Sequence, residues 1–184
     1  PFNFNMAAAF GSLLRQIGKT DLYIGLEYLY LNNKVKPEFE FEELPDFVED
    51  RDLKNNLSSV GIVAEFDKRD NIFTPNTGWY LKTSYKVNAS WTGSDYDFEN
   101  LNLAVLKYFQ FSPKWVSGFR FESKFQFGDA PFYMEPFISL RGVPVAKYQG
   151  NQTYVLETEQ RYDWTLRWSS MDFAGMAKER TEKE

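Results

Sequence analysis

Arg141 stands alone in the stretch FISLRGVPVAKYQG, residues 137–150. Gly142 follows it, Pro144 comes two residues later, and Gly150 closes the segment. The neighbouring stretches alternate apolar and polar residues; this one does not. An arginine presents five N–H donors in a planar fork, a shape suited to gripping a carboxylate at two points. Other candidate chemistry is sparse. The 184 residues include no histidine and no cysteine. That removes a Ser-His-Asp triad, an HExxH zinc site, a thiolate metal centre and a cysteine nucleophile. No cofactor or metal site is expected. A net charge of −5 gives no reason to expect nucleic acid as a partner.

The elements that must position Arg141 are strands. Aromatic residues make up 18% of the chain, and aromatics favour strands. From Lys114 to Gly128 the odd positions read Trp115, Ser117, Phe119, Phe121, Ser123, Phe125, Phe127. The even positions hold Arg120, Glu122, Lys124 and Gln126. Such period-two alternation predicts a strand with two different faces. Gly78 to Trp91 does the same, with Trp79, Leu81, Tyr85, Val87 and Trp91 opposing Lys82 and Lys86. In Thr153 to Trp168, Tyr154, Leu156, Tyr162, Trp164 and Trp168 oppose Glu157, Glu159, Arg161, Asp163 and Arg167. Weaker alternation spans residues 2–10, 22–31, 56–67 and 100–111, the last with Lys107 on its apolar row. A bulge or a rim position would each account for Lys107. Residues 169–178 make a poorer eighth strand.

No run approaches the roughly 20 apolar residues of a membrane helix. Strands hide their hydrophobicity from averaging windows, so a mean hydropathy of −0.50 leaves a membrane barrel open. Three features favour one. Several strands have room for the 9–11 residues that cross a bilayer at a tilt. Aromatics end the apolar rows. Short turns, such as SPK at 112–114 and the turn near 166–168, alternate with the long connections 34–52 and 128–152. A soluble sandwich or lipocalin-like barrel alternates too, with its apolar face inward. The acidic run Glu38 to Asp52 reads as a solvated extracellular loop.

Two stretches carry a family signal. FDKRDNIFTPNTGWYL, residues 66–81, resembles the RDNxxxPxxGxxL signature of the bacterial surface antigen family. These are the BamA- and TamA-like barrels of outer-membrane assembly and translocation. Its turn residues are Arg69, Asp70, Asn71, Pro75 and Gly78. Asp and Asn favour turns and Pro and Gly punctuate them, so the motif reads as architecture. APFYMEPFISLRG is similar to the segment that ends in the family's (V/L)RG(F/Y) motif, here Leu140, Arg141 and Gly142. YVLETEQRYDW resembles the strand that follows it. Val143 stands where the family prefers an aromatic residue, and Gly175 stands where an aspartate is usual.

The resemblance implies an all-β, antiparallel up-and-down transmembrane β-barrel. About eight strands are present, matching the second half of a sixteen-stranded barrel. Residues 1–178 would be the partial outer-membrane barrel domain and 179–184 a charged tail. The resemblance also implies that the long loop folds back into the lumen and that Arg141 meets an acidic inner wall. Glu157 matches the family's lumen glutamate, and Glu159 lies on the same face. Gly142 would let the backbone turn close to that wall. An unpaired charge there is costly, so a fixed carboxylate is expected. Lys82, Lys86, Arg120, Glu122 and Lys124 would satisfy one another and water.

The function implied is insertion or transport of proteins or lipids at the bacterial outer membrane, without enzymatic activity. The partners implied are outer-membrane lipid, client outer-membrane or secreted proteins, and periplasmic proteins. Alternatives are a passive outer-membrane pore or a soluble ligand-binding barrel. An outer-membrane lipase or protease is a third, disfavoured by the absence of histidine.

Overall fold

A computed structural model describes residues 2–37 and 54–181. Eight strands form one sheet in the order of the sequence, each antiparallel to the next. They are β1 (Phe2–Gln16), β2 (Leu22–Pro37), β3 (Lys54–Asp67), β4 (Gly78–Asn88), β5 (Phe98–Ser112), β6 (Trp115–Gly128), β7 (Gln152–Asp163) and β8 (Ser169–Arg180). The sheet does not close, so β1 and β8 are its edges. All eight strands exceed the common globular length of about 5–6 residues.

Most strand ends differ from the sequence expectation. β4 stops at Asn88, where a 3-10 turn, Ser90–Thr92, caps it through Gly93 in a left-handed conformation. β7 stops at Asp163, because Trp164 and Thr165 donate back to the Trp168 carbonyl and close a turn. β8 runs through Arg180, so the first two residues of the expected charged tail are strand, paired with Gln152 and Thr153. Charge does not stop a strand whose backbone finds a partner. The acidic run 38–52 lies outside the described residues.

The register sorts the residues onto two faces. Tyr80, Lys82, Ser84, Lys86, Asn100, Asn102, Arg120, Glu122, Lys124, Glu157, Glu159 and Arg161 share one face. The loop from β6 to β7 packs on this face, and it is called the inner face below. The outer face carries Ile24, Leu26, Ile62, Leu81, Leu101, Leu103, Phe119, Phe121, Phe125 and Leu156. Many of these apolar residues are exposed. A soluble fold of this length would bury such a face; a membrane strand turns it to lipid.

Aromatic residues band both ends of the outer face. Near the short turns lie Trp79, Phe109, Phe111, Trp115, Phe119, Tyr162, Trp164 and Trp168, several in ring contact. The row from Trp115 to Phe127 covers about 40 Å along its strand at ~3.3 Å per residue. Tilted by about 40°, that spans ~30 Å, close to the ~25 Å apolar band of outer-membrane barrels. Lys107 belongs to the lower band. Its ammonium lies 4.5 Å from the Trp79 ring centre and 4.7 Å from that of Phe109. The irregular register at Gln110/Ser112 lies just beyond it, so Lys107 sits at the rim.

Candidate functional site

The β6–β7 loop, residues 129–151, is organised from its base. Leu57, Tyr96 and Phe98 form a buried cluster with Leu31, Ala130, Tyr133 and Met134. The Tyr133 hydroxyl donates to Asn55 Oδ1 on β3. This apolar patch ties the start of the loop to β5 and, beyond it, to β2 and β3. Beyond it the chain makes a small hairpin. Phe137 bridges Gln149, and the Ile138 N–H donates to the Tyr148 carbonyl at 3.0 Å. The LRG triplet is at the turning end of this hairpin.

The tip is a four-residue turn, with the Val143 N–H bonded to the Leu140 carbonyl at 3.1 Å. Gly142 occupies the third position with φ +83°. That conformation is left-handed and favours glycine. A Cβ on Gly142 would meet nothing within 4 Å. Close approach to the wall, the sequence expectation, is therefore not the reason for this glycine; the positive φ is.

Arg141 lies over the inner face. Its Nη2 is 2.8 Å from Glu159 Oε2, and its guanidinium carbon is 5.1 Å from the Phe173 ring centre. Its backbone N–H donates to Glu157 Oε1 at 3.4 Å. Glu157, the expected partner, thus takes only the backbone. The reason is Arg120, directly opposite Glu157 in the β6–β7 register. Arg120 bonds Glu157 with Nη1 and Glu122 with Nη2, and also donates to the Ser139 carbonyl at 3.2 Å. Lys124 Nζ lies 2.9 Å from Glu122. Arg120 therefore joins the wall to the loop one residue before Leu140.

Leu140 has its own seat. Gly175 pairs with Glu157 across β7–β8. A Cβ on Gly175 would fall 2.6 Å from Leu140 Cδ1 and 2.9 Å from Glu157 Cγ. The glycine opens a notch that the leucine fills. A second cation, Arg161, faces inward from β7 and donates to Asn76 Oδ1. Asn76 belongs to the β3–β4 turn, which therefore crosses the inner face to reach β7. Its residues Phe73, Thr74 and Pro75 line a cavity of about 290 Å³ together with Arg141, Glu159 and Arg161.

The turn itself is held by side chains bonding to backbone. Asp70 accepts from the N–H groups of Asn76 (2.9 Å) and Thr77 (3.1 Å). Asn71 Oδ1 accepts from Phe73 (2.8 Å) and Thr74 (3.1 Å). Arg69 forks onto Asp67 through Nε (2.9 Å) and Nη2 (2.7 Å), and stacks over Tyr80. Gly78 has φ +117°, and a Cβ there would strike the Lys68 carbonyl at 2.1 Å. Pro75 lies near the turn's far side and lines the cavity. The N–H bonds from Thr77 and Asn76 hold the Asp70 pKa below its ordinary value. The remaining inner-face charges pair more loosely, Lys82 with Glu65 at 3.8 Å and Lys86 with Glu27 at 3.6 Å.

Sequence reading placed Arg141 and both glutamates on one face and expected Arg120, Glu122 and Lys124 to satisfy one another, as the Arg120–Glu122 and Lys124–Glu122 pairs do. It missed the reach of Arg120 to Glu157 and Ser139, the Leu140 seat and the Arg161–Asn76 contact. The two-residue period marked Arg120 and Arg161 as inner residues. Their partners depend on cross-strand register, which the period does not encode.

An antiparallel meander with an apolar, aromatic-banded outer face, a charged inner face and a loop folded onto it is the architecture of a transmembrane β-barrel. The sequence model of the Omp85 superfamily domain matches residues 3–158, and the chain belongs to that superfamily, the family of BamA- and TamA-like outer-membrane barrels. Its fold is similar to the crystal structure of BamA from Haemophilus ducreyi lacking POTRA domains 1-3, with a TM-score of 0.72 and 13% identity. The match covers 96% of this chain and 42% of that one. The chain thus spans less than half the length of the structure it resembles. No curated protein matches the sequence significantly.

Proposed function

We propose that this chain is part of a non-enzymatic barrel of the bacterial outer membrane, acting in the insertion or transport of proteins or lipids there. Its partners would be outer-membrane lipid, client outer-membrane or secreted proteins, and periplasmic proteins. One observation carries the reading: the LRG tip of the β6–β7 loop lies on the acidic inner wall, in a chain of the Omp85 superfamily. The loop is fixed at its base, its tip and its flanking carbonyl, and the family match favours assembly or transport over a passive pore.

In this reading Leu140, Arg141 and Gly142 brace the lumen against Glu157 and Glu159, and the Arg69–Gly78 turn supports the same region from the other rim. The brace keeps the half-barrel curved while other strands open or close. The test is depletion of the parent protein in its own cell. Levels of folded outer-membrane proteins should fall, and the protein should stay with membranes through alkaline carbonate extraction. Normal assembly of every other outer-membrane protein, with loss only of small-solute uptake, would support the passive pore instead.

A further inference from the structure

The short-turn rim carries a feature that the lumen loop does not use. Two hairpin turns stand side by side there, Pro113–Lys114 between β5 and β6 and 164–168 between β7 and β8. The Asp163 N–H donates to the Lys114 carbonyl at 2.8 Å and fixes one turn against the other. Between them lies an open cleft of about 890 Å³, lined by Lys114, Asp163, Thr165, Arg167 and Trp168. Leu166 at the turn tip is fully exposed, and Trp168 and Trp164 are mostly so.

The order of residues is the same on both turns. Lys114 immediately precedes Trp115, and Arg167 immediately precedes Trp168. Both tryptophans belong to the aromatic band at this rim. Lys114 and Arg167 both lie in the turns, each one residue nearer the turn tip than its tryptophan. Each cation therefore sits just beyond its ring, on the water side of the band, where headgroup phosphates lie when the rings occupy the interface. Among the described residues neither Lys114 nor Arg167 has a carboxylate within ion-pair distance. Asp163 supplies one negative charge to the cleft, which leaves it with a net positive charge. The Thr165 hydroxyl is occupied by the N–H groups of Arg167 and Trp168, which holds the turn and leaves the guanidinium free to reach outward.

We propose that the cleft binds the phosphate of an anionic phospholipid in the leaflet on the short-turn side. Lys114 and Arg167 grip the phosphate, while Leu166 and Trp168 lie against the glycerol and upper acyl chain. Charge complementarity selects a net-negative headgroup over a zwitterionic one, since a choline or ethanolamine group would bring its own cation to the cleft. The proposal rests on the membrane-barrel reading, and its test separates the two.

The parent protein that carries this chain would be placed in nanodiscs of phosphatidylcholine with or without phosphatidylglycerol, with bromine on the upper acyl carbons of one lipid at a time. Tryptophan fluorescence is then read for the native chain, for Lys114→Gln with Arg167→Gln, and for Lys147→Gln in the β6–β7 loop as a control. Brominated phosphatidylglycerol should quench the native chain several-fold more than its share of the bilayer predicts. The double variant should lose that excess, and Lys147→Gln should keep it. Equal quenching by both lipids in the native chain, or an excess that survives the double variant, overturns the lipid site while leaving the barrel reading intact. Loss of the excess on adding free glycerol phosphate marks a site for soluble phosphate esters and overturns the lipid assignment. Absence of quenching by either lipid overturns the membrane placement and the proposal together.

Discussion

Two arginines meet the inner-wall carboxylates, and their surroundings make them unequal. The Arg120 side chain is 27% exposed and holds Glu157 and Glu122, which are 9% and 16% exposed. Arg141 is 50% exposed and holds Glu159, itself 28% exposed. Truncating Arg120 leaves two part-buried carboxylates short of a partner, at a cost of about 1–3 kcal/mol. Truncating Arg141 breaks a pair open to water, at a cost below about 1 kcal/mol. Urea unfolding in detergent should therefore rank Arg120→Ala well above Arg141→Ala, and Arg141→Ala with Glu159→Gln should recover part of the smaller loss. A reversed ranking would mean that the guanidinium of Arg141, not the Arg120 hub, holds the loop. The Leu140 seat makes a sharper prediction. Gly175→Ala places a methyl group 2.6 Å from Leu140 Cδ1 and should cost about 1–3 kcal/mol by overpacking. Because the loop tip is the softer side of that contact, the tip should lift, and protease cleavage near Lys147 should speed up. Unchanged cleavage would show that Leu140 is not seated on Gly175.

At the scale of elements, the β3–β4 turn is where charge and backbone meet most directly. Asp70 accepts two backbone N–H bonds and its pKa is lowered. A carboxyl whose folded pKa is depressed contributes stability that is present above its unfolded pKa, and loses it as pH falls through the folded value. The Asn76 and Thr77 amides should stay protected from hydrogen exchange at neutral and mildly acidic pH. They should lose protection only below the ordinary aspartate range of about 3.9. In Asp70→Asn that acid-dependent step should vanish; its persistence would assign the step to another group. The strands themselves were legible from their period of two, and the two family signatures from their order and spacing. The ends were harder to read. Alternation continues through Trp91 and Trp168 in the sequence, but turns that bond their own carbonyls stop β4 and β7 first. At the other edge β8 outruns its apolar pattern because β7 offers partners as far as Gln152. Glu159 rather than Glu157 takes Arg141 for a similar reason. The β6–β7 register puts Arg120 opposite Glu157, and a loop as long as 129–151 leaves that register free in the sequence.

For the whole molecule, the decisive contrast is between the two faces of one strand. Phe121 lies in the middle of β6 on the outer face, and Arg120 beside it points inward. Phe121→Arg should cost roughly 2–4 kcal/mol at the bilayer midplane. Phe121→Leu should cost far less, because lipid accepts either side chain. Equal tolerance of arginine and leucine at 121 would mean that the outer face meets water. The same face is continuous across the sheet, from Leu26 on β2 through Ile62, Leu103 and Phe121 to Leu156. That continuity was readable strand by strand, but period two alone could not say which face met solvent. The loop resolves it, because it covers the charged face and leaves the apolar one open.

The central claim is that the LRG tip rests on the inner wall of β7 and β8. The chain has no cysteine, so introduced thiols report without background. Leu140→Cys and Gly175→Cys would be combined in the membrane-embedded protein and treated with a short thiol-to-thiol crosslinker, with Val145→Cys and Gly175→Cys on a Leu140→Ala background, which removes the clash at 175, as the comparison pair. The account predicts rapid crosslinking of 140 to 175 and a much slower reaction of 145 with 175. A 140–175 pair in which both thiols label freely with maleimide and fail to crosslink would contradict it.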